Sequence, residues 1–101
     1  MALKAAFMFV APGADPKVNR AVVPTPEVEL TVVGVPDYAA AEKTAAELVA
    51  EGIGAIELCG GFGHEGAARV ARAVAGRAKV GVVRFDGHPG LDGRSGDELF
   101  A

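Results

Sequence analysis

Residues 55–76 read AIELCGGFGHEGAARVARAVAG, and this stretch decides the fold. Ala55 to Cys59 is a short apolar run interrupted only by Glu57. Glycines at 60, 61, 63 and 66 then turn the chain. Beyond them Ala67, Val70, Ala71 and Val74 recur at helical spacing, Arg69, Arg72 and Arg77 fall on the other side, and Gly76 ends the helix. A strand that passes through a glycine turn into an amphipathic helix is the first half of a β-α-β unit, which needs a second apolar strand after it. Lys79 to Phe85 supplies that strand.

Toward the N-terminus two further apolar runs appear, Leu3 to Ala11 and Val28 to Val35. Most of these runs are near-continuous rather than alternating, the pattern of strands covered on both faces in a parallel sheet. Between the second and third strands, Pro36 and Asp37 offer a start and an N-cap. Tyr38, Ala41, Ala45, Leu48 and Val49 form an inner stripe, and Gly52 stands at the C-cap. Glu42, Lys43, Glu47 and Glu51 make its wet face.

The first crossover, Pro12 to Glu27, is richer in proline. Asp15 followed by Pro16 is a helix-start signal, and Val18, Ala21 and Val22 predict an apolar face over about two turns, stopped by Pro24 and Pro26. The expected architecture is therefore a small three-layer α/β domain, β-α-β-α-β-α-β, with a four-stranded, mostly parallel sheet in the possible order 2-1-3-4. One domain spans residues 1–101, with a core over 3–85 and a glycine-rich tail over 86–101. That tail is either frayed or, because Leu91, Leu99 and Phe100 are costly to leave in water, a docked arm.

Composition excludes several classes of function. The chain has 101 residues, 10 Lys and Arg against 13 Asp and Glu, and a net charge of -3. It has no basic run to track a nucleic-acid backbone. No apolar run approaches the ~20 residues of a membrane span, and the single Cys59 forms no intrachain disulfide. Ala2 to Ala11 lacks the basic start and cleavage site of a signal peptide, so a cytoplasmic protein is expected.

Ligands of open α/β sheets bind beyond the carboxyl ends of the strands, near the point where strand order reverses. Here that edge carries residues 11–16, 35–37, 59–66 and 84–90. Gly61, Gly63 and Gly66 match G-x-G-x-x-G, and Asp86 falls twenty residues later, where a dinucleotide site would place its ribose-binding acid. Too little chain follows to complete a dinucleotide fold, and a tight strand-to-helix turn selects glycine for packing alone. No cofactor is assigned. Free N–H groups at the helix start suit a small anion instead. Gly60, Gly61, Phe62, Gly63, His64, Arg84 and Asp86 are the ligand-binding candidates.

Strand alternation puts Glu57 with Cys59 on one face, and Arg84 with Asp86 on one face of the next strand. A Glu57–Arg84 ion pair would account for both charges; alternatively Arg84 holds the ligand while Glu57 acts as base. Cys59 is either a small buried hydrophobe or a nucleophile near a helix start. His88 is a turn residue or a proton shuttle. Glu57, Cys59 and His88 are thus the catalytic candidates, and no metal site is expected.

Thr31-Val-Val-Gly-Val-Pro-Asp-Tyr38, Ile56-Glu-Leu-Cys-Gly-Gly-Phe-Gly63 and Val80-Gly-Val-Val-Arg-Phe-Asp-Gly-His-Pro-Gly90 resemble a family of small bacterial proteins of unknown function. The resemblance covers nearly the whole chain and implies a cytoplasmic bacterial protein, with Phe7 to Phe100 as one unit. It carries over no activity. Two functions remain open: binding of, or catalysis on, a small anionic metabolite, or a noncatalytic homo-oligomeric binding or assembly module. Both are expected to self-associate, since so small a sheet leaves edges and apolar faces to cover.

Overall fold

A computed structural model describes residues 2–83, 85 and 87–101. The protein is an α/β domain with a mostly parallel five-stranded sheet. In chain order the elements are β1 (Leu3–Val10), β2 (Arg20–Pro24), β3 (Val28–Val35), α1 (Tyr38–Ala50), β4 (Ala55–Leu58), α2 (His64–Val74), β5 (Lys79–Val82), a 3-10 turn at Pro89–Leu91 and α3 (Gly96–Phe100). The sheet order is β2-β3-β1-β4-β5, with β3, β1, β4 and β5 mutually parallel and β2 antiparallel to β3. The four expected strands lie in the order 2-1-3-4 that the sequence left as possible, and a fifth is added at the β3 edge.

That fifth strand replaces the helix expected in the first crossover. The Asp15-Pro16 signal does start a turn: the Lys17 N–H donates to Asp15 Oδ1, and the Asn19 N–H reaches the Asp15 carbonyl at 2.7 Å. One turn is all that forms. Asn19 Oδ1 folds back to accept the Asp15 N–H, and prolines at 24 and 26 bias Val23 and Thr25 away from helical backbone. Extended residues 20–24 then pair with β3, and Thr25 closes the hairpin by exchanging bonds with Val28.

The missing helix also removes a layer. Later crossovers run toward β5, whereas the step from β1 to β3 runs the opposite way, so a right-handed helix there would have covered the opposite face. Among the described residues the fold is consequently two-layered, not three-layered. Ala6, Met8, Val10, Val33, Val35, Ile56 and Leu58 share one sheet face and belong to the buried core with Tyr38, Leu48, Val70 and Val74 of the helices. The alternate residues, including Phe7, Phe9, Leu30 and Val32, lie outside that core and remain partly exposed.

Local signals explain both long helices. Asp37 accepts the Ala40 N–H at 2.9 Å as the N-cap of α1. Its far end is a Schellman turn: Gly52, at φ 99°, donates to Val49, and Ile53 donates to Leu48. Leu48 and Ile53 are both buried, which completes the hydrophobic contact of that motif. Helix α2 ends through left-handed Ala75 and Gly76. Val70 and Val74 of its expected stripe face the core, while Ala71 is exposed. Arg69 bridges to α1 through a two-pronged bond to Glu42, at 3.2 and 3.0 Å.

Candidate functional site

Helix α2 begins at the carboxyl end of β4, and its first amides are already occupied. Asp97, from α3, places Oδ2 at 3.0 Å from the Glu65 N–H and Oδ1 at 3.1 Å from the Gly66 N–H. Gly63 at the N-cap has no side chain to do this, so a residue more than thirty positions later caps the helix. The Tyr38 hydroxyl completes the group: it donates to Asp97 Oδ1 at 2.7 Å and accepts the Gly63 N–H at 2.9 Å.

The glycines make this approach possible. A Cβ at Gly66 would overlap the Tyr38 ring, one at Gly63 would overlap Asp97 and Ser95, and one at Gly96 would overlap the Gly61 carbonyl. The second and third glycines of the G-x-G-x-x-G spelling are thereby accounted for by the chain's own packing, and the volume over Gly63 and Gly66 is filled by Asp97, Ser95 and Tyr38. Phe62 stacks on Tyr38 at 5.6 Å, and Phe100 is buried against the same ring at 6.5 Å. Ser95 and Glu98 form a reciprocal capping box that starts α3. Residues 95–100 are therefore an arm docked on their own chain.

The electrostatics follow from this packing. Burial pushes the Tyr38 hydroxyl well above the ordinary tyrosine range; the Gly63 N–H opposes the rise and the Asp97 carboxylate adds to it. For Asp97, burial acts upward, but the Glu65 N–H, the Tyr38 hydroxyl and the Gly66 N–H together hold its carboxyl below the usual range. His64, exposed at the start of α2, pulls in the same downward direction.

Of the catalytic candidates, the structure brings Cys59 and His88 to the same turn. Cys59 Sγ accepts the Gly61 N–H at 3.3 Å, and the thiol is partly buried. His88 tilts against Phe85 at 4.7 Å, and both rings press on Gly60, where no Cβ would fit. His88 Nδ1 accepts the Gly90 N–H at 3.0 Å, which places the proton of neutral imidazole on Nε2. Glu57 lies elsewhere: it is exposed on the bare sheet face, lining a shallow hollow of about 190 Å³ with Phe7, Gly81 and Val83. Arg84 and Asp86, and with them the expected Glu57–Arg84 pair, lie outside the described residues.

A second hollow, not foreseen, lies along the flank of α1 beside the turn that precedes β2. It measures about 200 Å³ and is lined by Pro16, Lys17, Arg20, Ala40, Lys43, Thr44 and Glu47. The α1 residues recur at i, i+3, i+4 and i+7 and so form one stripe, facing the turn that precedes β2. Arg20 is held there by a bond from Nε to the Pro16 carbonyl at 3.1 Å and lies 3.9 Å from Glu51. Three cations and one acid converge on this hollow in a chain whose net charge is -3. No local pattern announces it, because Lys17 and Arg20 meet Lys43 only through the tertiary fold.

A family model described as a family of unknown function, DUF6506, matches residues 3–98, and the chain belongs to that family. No curated protein and no solved structure matches it. No described helix is long and apolar enough to cross a membrane.

Proposed function

We propose that this member of the DUF6506 family binds a small carboxylate or phosphate in the hollow between the flank of α1 and the turn before β2. The observation that carries this reading is the convergence of Lys17, Arg20 and Lys43 on one open hollow of about 200 Å³. Space of that size suits a compact anion rather than a nucleotide, and the excess positive charge selects its sign. The glycine turn is a weaker candidate, since Asp97 already satisfies its amides as a ligand's carboxylate would.

Because the cations are solvated, binding at about the millimolar level is expected, weakening as salt rises. Titration of 15N-labelled protein with phosphate, malonate and succinate at low ionic strength tests this. Saturable shifts should appear at residues 17, 20 and 43–47, and Lys43→Glu should abolish them without moving the remaining spectrum. Absence of any saturable shift up to about 20 mM, or shifts confined to the amides of Glu65 and Gly66, would refute the proposal.

A further inference from the structure

We infer that the bare face of the sheet is covered by a second copy of this chain, packed face to face. Strand register puts Phe7, Phe9, Leu30, Val32 and Val23 on that face, opposite the helices, and Val83 continues it past β5. Val23 and Val83 are 51% and 48% exposed. Phe9 lies flat across the sheet, its ring filling the place of a side chain at Gly34, so the surface is smooth enough for another sheet to approach. These strands have the near-continuous apolar character of strands buried on both sides, yet among the described residues only one side carries helices.

Area and charge favour a copy of this chain over another occupant. At about 3.3 Å per residue and about 4.8 Å between strands, the five strands present roughly 450 Å² in plan. That is over half of the ~800 Å² per partner of a standard interface, before the relief of the side chains is counted. Among the described strand residues on this face, only Glu57 and Lys79 are charged, on neighbouring strands two register steps apart. A lone carboxylate inside an apolar interface is costly unless paired. A two-fold-related copy brings one charge of each sign, so Glu57 of each chain can meet Lys79 of the other. A lipid surface or an unrelated apolar helix offers no such complement.

Sedimentation equilibrium of the full chain, from about 10 to about 200 µM, tests the inference over the range of a modest dimer. The expected mass is twice the 10.2 kDa of one chain. Phe7→Lys and, separately, Val32→Lys should each halve it with an unchanged far-UV circular dichroism spectrum, because both side chains are only partly buried in the single chain. Val18→Lys, at a position 73% exposed outside the strands, should leave the doubled mass intact. Where a face variant fails to fold, isotope-filtered contacts between mixed labelled and unlabelled wild-type chains read the interface directly and should report the Phe7 and Phe9 rings. A wild-type chain of single mass at about 200 µM overturns the inference. So does a doubled mass that survives both folded face variants, or vesicle binding by a chain that stays single.

Discussion

Replacing Asp97 by alanine tests whether the arm is a structural part of the domain or an appendage. Two losses are expected. Helix α2 loses the acceptor of its Glu65 and Gly66 amides, and an N-cap contributes about 1 kcal/mol, within a range of about 0.5–2. The Tyr38 hydroxyl, in a residue with no exposed surface, loses the carboxylate to which it donates; a buried donor left unpaired costs about 1–3 kcal/mol. Together these destabilise the fold by about 2–4 kcal/mol. For a chain of this size that lowers Tm by roughly 10–20 °C. Thermal unfolding followed by circular dichroism at pH 7 measures it, with Tyr38→Phe and the double variant closing a cycle whose coupling should exceed about 0.5 kcal/mol. Acid sharpens the test. Because the folded carboxyl titrates below its unfolded value, its contribution is fully present above about pH 4 and is lost as pH falls through the folded value. The Tm difference between wild type and Asp97→Ala should therefore shrink progressively as pH falls below about 4. A Tm change under about 2 °C at pH 7, or additive single substitutions, would refute the argument.

Other substitutions probe neighbouring contacts. Gly66→Ala drives a methyl group into the Tyr38 ring and should cost about 1–3 kcal/mol in chemical denaturation, with unchanged m-value. Phe100→Ala empties a buried position and should cost about 3 kcal/mol, whereas Leu99→Ala, at a position 42% exposed, should cost under about 1 kcal/mol; equal effects would contradict the observed orientation of α3. Glu42→Gln breaks the bidentate bond to Arg69 at the partly exposed α1–α2 contact. Its effect should stay near or below about 1 kcal/mol and shrink in about 1 M salt. Since the bond to Arg69 outweighs burial in lowering the Glu42 carboxyl, that small contribution is also present above about pH 4 and is lost in acid.

Features carried by neighbouring residues could be read from the chain alone. The cap at Asp37, the stop at Gly52 and the glycine turn into α2 are each written within a few positions, and their alternation with apolar runs implies a mostly parallel sheet; the order of its strands is only one of those the sequence allows. Arg20–Pro24 was misread because its start signal is genuine but controls only one turn; the residues beyond that turn are governed by prolines and by an unpaired edge of β3. Losing that helix changed the layer count, a global property dependent on one local misreading. Asp97 was missed for a different reason. An acid thirty-two residues beyond Glu65 carries no mark that distinguishes a distant cap from a solvated charge. Lys17, Arg20 and Lys43 are likewise ordinary wet-face residues until the fold places them around one hollow.

The capping of α2 by Asp97 has a consequence for the order of events in synthesis. Tyr38 is made 59 positions before residue 97, and the amides of Glu65 and Gly66 are made 32 and 31 positions before it. During that interval the emerging chain can pair its strands and form α1. The Tyr38 hydroxyl and the first amides of α2 must meanwhile rely on water, so their surroundings cannot close dry. The last contact made is thus the one that lets the centre of the helical layer exclude solvent. A released chain cut after Arg94, and so without Asp97 and Phe100, would hold its sheet assembled and its aromatic cluster still wet.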